Sequence, residues 1–207
     1  GRVSVHGGSG ESGGSLDLSA GGSIGNAAAG GTVALTGGDG TDGGSVTLLG
    51  GRGSVSGGNI ALTGGPGPED ETGGKVDVVG GAYSGEVNIR GGVSESNDTS
   101  GGAVKVSGGV GGGEVEIMSG LSISGRSGGM SVHTTDGMES GSVVINSGQA
   151  TSGTSGDVVI ESGPGVTESG IVSLRTGVSD TADGGALKLE AGMSGAVDGA
   201  GGRITAD

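Results

Sequence analysis

The sequence predicts an all-β solenoid: a parallel β-helix of short strands joined by glycine-rich turns, with no helix. Three observations lead there. An aliphatic–any–aliphatic element recurs from one end of the 207-residue chain to the other. The 58 glycines gather in doublets around that element, without the three-residue period and abundant proline of collagen. The chain has no Phe, Trp or Cys and a single Tyr, Tyr83, so any core must be thin and aliphatic.

The element reads aliphatic, any, aliphatic, any, small, Gly. Leu16-Asp17-Leu18-Ser19-Ala20-Gly21 and Val33-Ala34-Leu35-Thr36-Gly37-Gly38 show it early, and Val158-Val159-Ile160-Glu161-Ser162-Gly163 late. The first aliphatic positions are Val3, Leu16, Val33, Val46, Ile60, Val76, Val87, Val104, Val115, Met130, Val143, Val158, Val172, Leu187 and Ile204. Their partners two residues on include Leu18, Leu35, Leu48, Leu62, Val78, Ile89, Val106, Ile117, Ile145, Ile160, Leu174 and Leu189. Alternation with period two is the pattern of a half-buried strand. No 3.6-residue period competes with it, and glycine at this density opposes helix.

Between strands, glycine doublets supply corners, because glycine turns sharply without steric cost. The linking loops are rich in Ser, Thr, Asp and Gly and vary in length. Gly64 to Gly74 contains Pro66, Pro68, Glu69, Asp70 and Glu71; Gly91 to Gly102 contains Asn97 and Asp98. The Glu69-Asp70-Glu71 run reads as a solvated loop.

First aliphatic positions lie 11 to 17 residues apart, while neighbouring intervals taken in pairs total 26 to 32. This compensation predicts a coil of about 28 residues holding two strands, stacked about 4.8 Å apart in two parallel sheets. A three-strand coil of about 43 residues is the rival. One face would stack Val3, Val33, Ile60, Val87, Val115, Val143, Val172 and Ile204. The other would stack Leu16, Val46, Val76, Val104, Met130, Val158 and Leu187, placing outward Asp77 beside Lys105. Parallel crossovers favour a right-handed coil. Residues 1–207 are expected to form one continuous repeat domain, a segment of a longer chain.

The net charge of −14 opposes binding to nucleic-acid phosphates and anionic membranes. Without Cys there are no disulfides or thiolate sites. No apolar stretch approaches a membrane span, and no signal peptide is visible.

Chemistry is sparse. His6 and His133 occupy equivalent places in copies far apart in sequence and read as surface residues. No Ser lies in a nucleophile-elbow pattern, and outward acids are scattered, not grouped as glycan cleavage requires. Gly37-Gly38-Asp39-Gly40-Thr41-Asp42 matches the opening of a calcium-binding β-roll repeat, which makes Asp39 and Asp42 calcium candidates. Gly44 stands where the next apolar residue belongs and no tandem copies follow, so no metal is assigned. Asn97-Asp98-Thr99 is a glycosylation sequon. Outward residues such as Ser4, Asp17, Ala34, Lys105 and Glu116 are too mixed for an ice-binding array. No catalytic residue and no cofactor are expected.

The glycine-bounded aliphatic copies resemble the Gly-rich β-solenoid repeats of phage tail fibres and large algal cell-surface proteins. The resemblance covers nearly the whole chain, departing near Met130, where Thr134-Thr135 replace the small-Gly pair. It implies a non-catalytic fibre, filament or adhesin scaffold, extracellular or on a cell or virion surface, and carries over no functional residue. Its partners would be further copies of the repeat, end to end or lateral. The alternative is a binding module whose variable loops recognise a glycan, an ion or a host surface.

Overall fold

A computed structural model describes residues 1–24, 29–68, 72–94, 100–196 and 198–206. Among the described residues there is no helix, no strand and no sheet. The all-β solenoid expected from the periodicity is therefore overturned, although the absence of helix holds among those residues. The reason lies in where the backbone hydrogen bonds go. A sheet needs them to run between neighbouring segments. Among the described residues they run almost entirely across loop bases, although the loops before Gly141, Gly156 and Gly170 carry no such bond.

Each such neck joins the glycine after one aliphatic element to the glycine before the next. Gly14 N–H donates to Gly8 O at 2.7 Å, Gly44 to Gly38 at 2.7 Å, Gly74 to Gly65 at 2.8 Å and Gly102 to Gly92 at 2.8 Å. The loops so closed differ in length. Gly85 bonds back only four residues to Gly81, whereas Gly202 bonds back ten to Gly192. The stretch from one neck to the next does not differ. It is seven residues from Gly14 to Gly21, from Gly44 to Gly51, from Gly74 to Gly81 and from Gly185 to Gly192. The uneven spacing of the aliphatic pairs is thus loop length added to a constant module. Long and short intervals alternate because long and short loops alternate. The 28-residue coil of two strands, and the 43-residue coil of three, fall because no strand is present among the described residues.

In two modules, side chains two residues apart meet on one side. Lys75 Nζ lies 2.7 Å from Asp77 Oδ1, and Lys188 Nζ lies 3.2 Å from Glu190 Oε1. Asp77 therefore pairs along its own segment and not with Lys105. Both pairs are largely exposed.

Glycine at the necks answers a close backbone approach. A Cβ on Gly44 would sit 2.7 Å from Gly38 N, closer than real Cβ contacts come, and a tight 3.2 Å from Gly38 O. One on Gly37 would collide with Gly44 O. The two five-residue loops place a second demand on the chain. Positions three and four of the Gly109–Gly113 loop are Gly111 and Gly112, at φ 98° and 97°. The matching positions of the Gly81–Gly85 loop are Tyr83 and Ser84, at φ 59° and 77°, where L residues carry strain.

The chain divides into two units, Gly1–Val106 and Ser107–Asp207. In the first, hydrogen-bonded necks run from Gly8–Gly14 to Gly92–Gly102. The second holds the departures from the pattern. Its Gly185 N to Gly177 O bond is long at 3.4 Å, and the loop ending at Gly170 is tied by Ser162 Oγ donating to Gly170 O at 2.9 Å. Thr134 and Thr135, the anomaly of the Met130 copy, stand where no backbone bond closes the loop, and Thr134 borders Gly141.

No described residue is buried. The first aliphatic of each copy is 44 % to 60 % exposed, except Val3, which has no neck before it and is 91 % exposed. The second aliphatics are 55 % to 74 % exposed. Val143, Val158 and Val172 are covered to the same degree as the rest, although no backbone bond closes the loop before them. Leu16, Leu18, Val33, Leu35, Ile60 and Leu62, with their counterparts through Leu187 and Leu189, are each left partly exposed and line no dry column.

Candidate functional site

The polar residues singled out in the sequence are scattered and exposed. His6 and His133 both stand three positions after a first aliphatic. His133 Nδ1 lies 3.1 Å from Thr134 O, a local contact within its own copy. Asp39 and Asp42 lie in the exposed Gly38–Gly44 loop, and among the described residues no group of His, Cys, Asp or Glu is arranged to hold a metal ion. Asn97, with Asp98, lies outside the described residues, as does the Glu69-Asp70-Glu71 run.

Loop hydroxyls serve the turns. Ser122 Oγ accepts from Gly125 N–H at 3.0 Å, Ser179 Oγ from Ala182 N–H at 3.0 Å and Ser194 Oγ from Ala196 N–H at 3.2 Å. These are side-chain-to-backbone bonds that stand in for regular structure in short loops. The loop that follows Ile145 borders an open hollow of about 520 Å³, lined by Asn146, Ser147, Gly148, Gln149, Ala150, Gly153 and Ser155. Its lining has amides and hydroxyls but no titratable side chain. It can offer hydrogen bonds, not proton transfer.

The modules themselves carry the most regular chemistry. Each presents two partly exposed aliphatics on an extended backbone, and among the described residues no backbone bond joins one module to another. Charge is partitioned between modules and loops. By sequence position, the modules and the two terminal segments hold seven cations, among them Arg90, Lys105, Arg175 and Lys188, against nine acids, a net of −2. The loops hold two cations, Arg52 and Arg126, against fourteen acids, a net of −12, which completes the total of −14.

Sequence reasoning missed the neck, although its signal was present. Glycine stands two residues before the first aliphatic in every copy, from Gly1 to Gly202. It stands five residues after it as well, with Thr135 the exception. In eleven loops those two positions are the donor and acceptor of the neck bond.

Comparison with protein-family models, with curated proteins and with solved structures finds no match to this chain.

Proposed function

We propose that this chain is a non-catalytic structural segment of an extracellular fibre, filament or adhesin scaffold, whose copies associate end to end or side by side. The observation that carries this reading is the constant seven-residue module, repeated between loops of free length, with its aliphatic pair exposed in copy after copy. A chain that leaves so regular an apolar row in water has its hydrophobic driving force still to spend, and association is the way to spend it. The scattered titratable groups support the non-catalytic part. Electron microscopy of the full-length protein tests the reading: filaments or laterally joined assemblies are expected, and uniformly isolated particles at every concentration would refute it.

A second reading is favoured by the loops. They hold most of the negative charge, and several carry a hydrophobe projected fully into solvent, such as Tyr83, Val110, Met138 and Val166. Loops of that kind suit recognition of a glycan, an ion or a host surface. Glycan-array binding that is lost when one loop is deleted would establish it.

A further inference from the structure

The geometry points to the inter-neck modules as the interface itself: modules of two copies of this chain pair backbone to backbone, forming intermolecular β structure that the single chain lacks. This deepens the scaffold reading and rests on it.

Three observations converge on a second copy as the occupant. First, the backbone N–H and C=O groups of the extended modules have no partner in another module among the described residues. An extended segment with an open edge is a template for another extended segment. Second, alternation puts both aliphatics of a module on one side, still more than two-fifths exposed, so pairing and stacking would cover apolar area at once. Third, the modules are nearly neutral and carry both signs, with Lys105 and Lys188 at the mid-module position that Asp17, Asp77 and Glu116 hold elsewhere. One copy can therefore offer cations to another's acids. The repulsive charge stands apart, in the loops. A partner with the same seven-residue module matches this surface in length, in alternation and in charge, and a second copy supplies it without further assumption.

The acceptor-side glycines fit the same arrangement. A Cβ on Gly38, Gly65 or Gly92 would meet nothing within 4 Å in its own chain, and none of the three has a positive φ.

The test uses the full chain in a concentration series, followed by sedimentation velocity and by the amide I infrared band. Two variants accompany it. One places proline mid-module (Ala34→Pro, Ala61→Pro, Ser131→Pro and Ser173→Pro), removing donors that make no bond within the chain. The other places four prolines in loops (Ser9→Pro, Ser54→Pro, Thr151→Pro and Thr181→Pro). The expected result is assembly of the unaltered chain with β absorption rising in step. The mid-module variant should need at least about tenfold more protein for half-assembly, from several lost interchain bonds. The loop variant should stay within about twofold of the parent. Assembly that the mid-module prolines leave unchanged, or that brings no β absorption, overturns the pairing inference and leaves the scaffold reading standing. An unaltered chain that remains monomeric throughout the series overturns both.

Discussion

Two alanine substitutions at the ends of one hydrogen bond should have opposite effects. In the Gly38–Gly44 neck, Gly44 N–H donates to Gly38 O at 2.7 Å. A Cβ on Gly44 would lie 2.7 Å from Gly38 N, and that neighbour is backbone, which cannot swing aside. Gly44→Ala must therefore open the neck. The loss is the bond itself, about 0.5–1.5 kcal/mol, plus crowding of about 1–3 kcal/mol. Alanine returns about 0.4–1 kcal/mol by restricting the open chain. The net is about 2 kcal/mol, or roughly thirtyfold in the closing equilibrium. Gly38→Ala meets nothing within 4 Å and is not at positive φ. Only the entropic gain applies there, so the neck should close about two- to fivefold more firmly. Amide hydrogen exchange read by NMR at residue 44 reports both cases. Faster exchange by an order of magnitude or more is expected in Gly44→Ala, and equal or slower exchange in Gly38→Ala. If the two variants change exchange alike, the neck is not set by this close approach and the reasoning fails.

The short loops offer a parallel experiment. Gly112→Ala, at φ 97°, should weaken the Gly113 to Gly109 bond by about 1–2 kcal/mol, while Tyr83→Gly and Ser84→Gly should leave the Gly85 to Gly81 bond unchanged or firmer by up to about 1 kcal/mol; exchange at Gly113 and Gly85 checks both. Ser162→Ala removes the hydroxyl that ties the loop to Gly170, and this exposed bond should cost about 0.5–1 kcal/mol, seen as a local chemical-shift change at Gly170 with no effect on the Gly65–Gly74 neck. Lys75→Ala breaks the 2.7 Å pair with Asp77, yet both partners are largely exposed, so backbone exchange across residues 74–81 should stay within about twofold of the parent in low or high salt.

Much of the local structure was legible in the residues. Alternation in Lys75-Val76-Asp77-Val78 implied a half-buried strand, and no strand forms there, although Lys75 and Asp77 do meet on one side. The paired glycines marked where the chain turns. What misled was the treatment of the intervals between aliphatics as one quantity. The 11-residue interval from Val76 to Val87 and the 17-residue interval from Val87 to Val104 looked like halves of a coil. They are the same module with a short loop and a long one, because Gly81 to Gly85 spans four residues and Gly92 to Gly102 spans ten. Counting from glycine to glycine, instead of from valine to valine, would have separated the two. On the functional side, the separation of His6 and His133 was readable from their positions in copies far apart in sequence.

By itself, the sequence determined the local conformation: where the chain extends, where it turns, and that small residues must stand at the turns. Period-two alternation and the absence of a Cβ act over a few residues, so composition and order suffice to set them. Only the tertiary structure decided which backbone groups meet. A hydrogen bond formed across a loop of four to ten residues asks less loop-closure entropy than one formed to a distant segment. The glycines permit the near bond, and among the described residues the aliphatic pairs remain open to water.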